Sequence, residues 1–223
     1  MKETLTAKEI HGQAIHAREQ EHNFAKALSL LGESLAIAES DSEEMVGIAG
    51  SMQNTYQHLY DKTQNMSYLI FAECLAKVAA KISEDKNFEE KALPYRDLGN
   101  IQSKLESYNE AVDNYKKSLE STDSPSLSRP GVHGEILGHL GFAEYMSGDQ
   151  ESGIKNLNEA IAELEKDTEA NKYEHDVWLS GALMRKAKAL HDKESLEKAR
   201  EIIDANPELV LRKQQLEKLA SEF

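Results

Sequence analysis

Apolar residues in this chain recur at helical intervals from end to end. Phe24, Ala27, Leu28, Leu31 and Leu35 share one helix face, as do Tyr68, Phe71, Ala72, Leu75 and Val78. No stretch alternates with the period of two that a strand requires. Polar residues punctuate the pattern. Thr6 and Glu9 form a capping box for a helix to about Gln20, and Asn23 caps the next. Asp41 and Glu44 form another box before a long helix to about Asp61, and Asn65 starts a fourth. Asn87 and Glu90 open a fifth, where Pro94 either kinks the helix or becomes its true start. A sixth covers about 108–120. Pro125, Pro130 and four serines then break the chain. Further helices are predicted at roughly 132–146, 150–165, 172–190 and 195–204. Asn206 and Pro207 open a last one to about Ser221, whose Leu209, Leu211, Leu216 and Leu219 would cover the end of the array.

These elements repeat. Ser34, Ala76, Ser118 and Ala160 lie 42 residues apart, each where two helices would touch. The same step links Ala14, Tyr56, Leu98 and Leu140, and links Gly99 to Gly141. Small residues at fixed offsets let helices approach closely, and a period of this size marks a helical solenoid. The loop at 121–130 does not interrupt the period, so it reads as a link between repeats.

Composition agrees with stacked repeats. Hydrophobic residues make up 39% of the 223, enough for the thin apolar seam that each repeat needs against its neighbour. No run of 18 apolar residues exists, so no membrane-spanning helix is predicted. Met1-Lys2-Glu3-Thr4 lacks an apolar core, so no secretory signal is expected. The single cysteine, Cys74, cannot form an internal disulfide, which points to a cytoplasmic location. The net charge of −14 lies wholly in residues 1–185, because eight basic and eight acidic side chains balance from Lys186 onward. Such a surface repels phosphate backbones and argues against nucleic-acid binding.

Tyr95, Leu98, Gly99, Asn100, Tyr108, Glu110, Ala111, Tyr115, Ser118 and Leu119 resemble the tetratricopeptide repeat (TPR). Leu137, Leu140, Gly141, Gly148, Gly153, Leu157, Ala160 and Ile161 repeat the pattern. Gly99 and Gly141 would let the second helix of a pair approach the first, with Ala111 and Gly153 as their counterparts. Phe24 and Tyr108 would fill the wedge at the turn. The 42-residue step is longer than the usual 34 and is similar to the extended variety in kinesin light chains and bacterial peptide-pheromone sensors. The resemblance implies an all-α, right-handed superhelical solenoid in one domain, 1–223. Its repeats would span about 8–49, 50–91, 92–133, 134–175 and 176–206, with a capping helix at 207–221. The second copy departs from the pattern, with Gln57 and Leu69 at the small positions.

The resemblance also implies a concave groove lined by the first helix of each pair. Its ligand-facing residues would be Gly12, His16, Asn54, His58, Arg96, Asn100 and Gly138, with Phe142, Tyr145 and Met146 as an apolar anchor. Arg96 and Asn100 match half of a carboxylate clamp for chaperone tails, but Glu135 and His139 do not complete it. The expected function is a non-enzymatic adaptor that binds a peptide or partner protein, with no membrane contact and no cofactor. Alternatives are a peptide-responsive sensor, or an accessory subunit of an enzyme complex with the groove filled by a partner or by self-association.

Other chemistry is not supported. The eight histidines lack the spacing of three or four that places metal ligands on one helix face, so no metal is expected. His16 and His58 could face each other across neighbouring repeats. Cys74, among Phe71, Leu75 and Val78, reads as a buried small hydrophobe. No phosphate-binding glycine loop or nucleophile elbow occurs.

Overall fold

The computed structural model describes residues 5–40, 42–121 and 123–223. Eleven α-helices and no strand occur among them. They follow in order: α1 (Ala7–Glu19) with α2 (Phe24–Ile37), α3 (Glu43–Thr63) with α4 (Met66–Asp85), and then α5 (Ala92–Lys104) and α6 (Tyr108–Glu120). Then come α7 (Pro130–Ser147) with α8 (Gln150–Lys166), α9 (Lys172–Leu190) with α10 (Lys193–Ala205), and the terminal α11 (Val210–Ala220). A 3₁₀ turn at Pro125–Ser128 lies in the proline- and serine-rich link.

Contacts gather into two compact units, Met1–Glu106 and Ser107–Phe223. Within the first, each helix packs on the next, and the first helices of neighbouring pairs touch: α1 with α3, and α3 with α5. Ala14, Leu31 and Ile48 form one core and Ala72, Ala76, Ala80, Tyr95, Leu98 and Ile101 another. In the second unit α7 meets α9 and α9 meets α11, around Leu164, Leu183, Leu196, Ile203 and Leu216.

The small-residue series sits where the period predicts. Ser34, Ala76, Ser118 and Ala160 are all fully buried. Ser34 also donates from Oγ to the Ala7 carbonyl at 2.7 Å, tying α2 to the start of α1. At the α7–α8 crossing, a Cβ added to Gly141 would lie 2.7 Å from the Leu157 amide nitrogen, and one on Gly153 2.6 Å from that of Tyr145. Only hydrogen fits at either position.

A second period appears in the backbone. The short links after α1, α3, α5, α7 and α9 each pass through one residue with positive φ: His22 (51°), Gln64 (56°), Glu106 (61°), Gly148 (109°) and His191 (49°). The first four are spaced 42 residues apart, and the fifth follows one residue late.

Several predicted helix starts hold. Thr6 and Glu9 form the reciprocal capping box, Asn23 accepts from the Lys26 amide, and Asn65 accepts from the Ser67 amide. Others are corrected. Ser42 caps α3, accepting from the Met45 amide, while Asp41 lies outside the described residues. α5 starts at Ala92 without a side-chain cap, which places Pro94 in its first turn, where a missing N–H leaves no bond unmade. Asn87 instead takes a left-handed backbone. Asn206 opens no helix: it is the C-cap of α10, accepts from the Glu208 amide and donates to Asp176 Oδ2 at 3.0 Å, and α11 begins at Val210.

The α4 face is also corrected. Its buried stripe is Leu69, Ala72, Ala76, Ala79, Ala80 and Ser83. Phe71 and Val78 are exposed, and so is Cys74. Small residues let α4 pack closely and leave several of its larger side chains outside. On α11, Leu216 and Leu219 are buried as expected, as is Leu209 just before it, but Leu211 is exposed.

Candidate functional site

A cleft of about 290 Å³ opens in the first unit between α3, α4 and the start of α5. On one wall α3 contributes Val46, Gly47, Gly50, Gln53 and Asn54. Ala79 and Ser83 of α4 close the back, and Phe88, Leu93, Pro94, Arg96 and Asp97 form the other wall. The two glycines keep it open: a Cβ on Gly50 would meet nothing within 4 Å, and one on Gly47 only His11, at 3.9 Å. Glycine inside a helix is about 1 kcal/mol less favourable than alanine, so these positions are not explained by helix stability.

Two polar atoms of this cleft lack partners. Gln53 is 1% exposed and Ser83 is fully buried, yet Gln53 Oε1 and Ser83 Oγ make no hydrogen bond. A buried polar atom left unpaired costs about 1–3 kcal/mol, so two in one cleft mark an incomplete network. The charged lining residues are Glu43, Glu90, Asp97 and Arg96. The Arg96 guanidinium is clasped to Asp97 Oδ1 from Nε at 2.9 Å and from Nη2 at 2.6 Å.

Asn54 and Arg96, two of the groove residues expected from sequence, meet in this cleft. Gly12 and His16 line a second, more open cleft with Leu5, Glu9, Gln13 and Lys26. His58 lines neither. It stacks on Phe24 at 5.7 Å, while His16 lies 3.8 Å from Glu21, so the two histidines look to different partners. Burial pushes the His58 imidazole below its usual 6.5; the Glu19 charge opposes this and Arg18 adds to it. Asn100 is half-buried on α5.

In the second unit, Gly138 is buried, with its Cβ direction 3.4 Å from Ala160 and 3.5 Å from Ala182. These are ordinary contact distances, so packing does not demand glycine here. Phe142 is half-buried and meets Tyr108 edge-on at 6.3 Å, and Met146 is exposed. The Tyr145 backbone forms the wall against which Gly153 packs.

Sequence reasoning missed a polar cluster on α7, α9 and α11. His139 Nε2 lies 3.0 Å from Glu135 Oε1 and also contacts Arg185, whose Nη1 is buried with no hydrogen-bond partner. Arg212 donates to the Val177 carbonyl at 3.1 Å, and burial with Arg185 beside it brings its guanidinium down to about 10. Gly181, whose added Cβ would approach Arg212 to 3.2 Å, was the one local sign that a bulky group crosses α9 there.

No protein-family model and no curated protein matches the chain. Solved structures do. The chain is similar to nearly identical TPR-like repeats from a candidate kinesin light chain of Podosopora anserina, with a TM-score of 0.61, 14% identity and 96% of this chain and 95% of that one covered. It is similar to BtubC (BKLC) from P. vanneervenii at a TM-score of 0.61 and 20% identity, over 90% of this chain and 87% of that one. It is also similar to a Rap protein complexed with Competence and Sporulation Factor, at a TM-score of 0.67 and 13% identity. That match covers 94% of this chain but 56% of the Rap protein. The fold is therefore that of TPR-like helical repeats. Among the described residues no helix is long and apolar enough to cross a membrane, and no three His, Cys, Asp or Glu side chains group as a metal site.

Proposed function

We propose that this chain is a non-enzymatic interaction module that binds a peptide segment of a partner protein on the faces of its first helices. The observation that carries this reading is the glycine-opened cleft on α3 and α5, where Asn54 and Arg96 stand beside two unpartnered polar atoms. Carboxamides on such a wall hold an extended backbone by paired hydrogen bonds, each contributing about 1 kcal/mol net. Micromolar binding, about −8 kcal/mol, is ordinary for a site of this kind.

Panning a random peptide library on the full chain tests the proposal. Peptides enriched on the wild type should be lost from an Asn54→Ala/Arg96→Ala variant whose circular dichroism is unchanged. Equal enrichment on both proteins would remove the cleft from the site, and no enrichment on the wild type would defeat the peptide-binding reading. Phe142→Ala asks the same question of the second unit.

The likeness to a Rap protein solved with a bound factor favours a second reading, a sensor whose shape changes with its ligand. Small-angle scattering with and without an enriched peptide separates the two. A sensor changes its radius of gyration, and a rigid adaptor does not.

A further inference from the structure

We infer that the α3–α4–α5 cleft receives a basic side chain, a protonated amine or guanidinium on an aliphatic stem, carried by the bound peptide; this rests on the peptide-binding reading above. Three observations converge on that chemistry. The walls are apolar where a stem would lie, at Val46, Phe88 and Leu93. Of the two unpartnered polar atoms, Gln53 Oε1 can only accept and so calls for a donor, and Ser83 Oγ can accept from the same donor. The charged rim holds Glu43, and its one base, Arg96, already rests on Asp97.

Charge selects among donors. An acidic or phosphorylated group would face Glu43 beside an Arg96 already paired with Asp97, and like charge opposes its entry. A neutral amide would satisfy the oxygens but gain nothing from the rim. A lysine or arginine side chain does both. Gly47 and Gly50 keep its entry open, which gives those helix-interior glycines a reason. The net charge of −14 draws basic segments to the protein.

The test is an NMR titration of the ¹⁵N-labelled full chain with four blocked pentapeptides of alanine, whose central residue is lysine, norleucine, glutamine or glutamate. The lysine peptide should shift the Gln53 side-chain amide and the Asn54 backbone amide saturably, with a dissociation constant at least tenfold below that of norleucine. Raising the salt from about 0.05 to about 0.5 M should weaken it several-fold, because screening acts on the rim charges. Gly50→Leu, which fills the cleft where no atom stands within 4 Å, should abolish the shifts while the remaining spectrum stays native. Gln53→Leu should weaken lysine binding at least fivefold; if that variant fails to fold, Gly50→Leu still decides. Equal binding of lysine and norleucine, tighter binding of glutamine or glutamate, or shifts unaffected by Gly50→Leu would each overturn the inference. Library peptides that bind without a basic residue would sink this inference alone. A library that yields no binder would sink the peptide-binding reading, and the lysine titration would then still report on the cleft.

Discussion

Replacing Gly141 with alanine should weaken the α7–α8 crossing by about 1.5 kcal/mol. The added Cβ would lie 2.7 Å from the Leu157 amide nitrogen and 2.9 Å from the Gly153 carbonyl oxygen. Both are backbone atoms, so no side chain can swing aside. Restoring contact near 3.4 Å requires the helices to separate by roughly 0.7 Å, which forfeits about a third of the dispersion well for pairs across the crossing. Leu157 and Leu164, both fully buried, each make about 50 such contacts. If half of them reach α7, about 50 pairs at ~0.15 kcal/mol lose about 2.5 kcal/mol in total. The better helix propensity of alanine returns about 1 kcal/mol. Gly153→Ala should behave alike. The double variant should fall short of the sum, because one separation relieves both clashes. Gly32→Ala is the control: it is exposed on α2 with nothing within 4 Å, and should be neutral or gain up to ~1 kcal/mol. Urea unfolding followed by circular dichroism reads all four midpoints. A Gly141→Ala chain as stable as the wild type, or a Gly32→Ala chain weakened as much, would refute the close-approach argument.

Ser34→Ala should cost about 1 kcal/mol, because it removes a buried hydrogen bond to the Ala7 carbonyl; amide exchange should quicken first in α1. Because burial holds His58 and His11 below 6.5, their unfolded forms bind protons first as pH falls. Their contribution to stability is complete above about 6.5 and drains away below it. Unfolding midpoints of a His11→Gln/His58→Gln variant should therefore vary less between neutral and mildly acidic pH, and an unchanged slope would contradict this. Cys74 should react with a thiol reagent in the native protein without denaturant, since it stands exposed on α4; protection would restore the buried assignment.

Much of the fold was legible because it depends on steric exclusion. A crossing that admits only a small residue leaves one in the sequence, so Ser34, Ala76, Ser118 and Ala160 marked the packing before any coordinates. Capping was legible where a side-chain oxygen has one task, as at Thr6, Asn23 and Asn65. It failed where the same residue type serves another: Asn87 supplies a left-handed backbone, and Asn206 ties Asp176 to the following turn. The α4 face was misread because both of its sides carry apolar residues, and periodicity cannot tell which is buried when the buried one is mostly alanine. Asn54 and Arg96 were placed by the 42-residue step. Gln53 and Ser83 were not, because their missing partners become visible only once three helices surround them. Half-buried Arg185 and Arg212 escaped notice for a related reason, since their neighbours come from other helices.

The left-handed residue in each of these five short links offers an engineering handle. Only Gly148 occupies this conformation without penalty; a side chain there costs on the order of 1 kcal/mol. Glycine at His22, Gln64, Glu106 and His191 would relieve that strain, less what glycine's looser unfolded chain takes back. The four sites lie far apart along the chain, so the gains should add, and the melting temperature should climb with each substitution. Four of the five links carry a side chain where glycine would sit at ease.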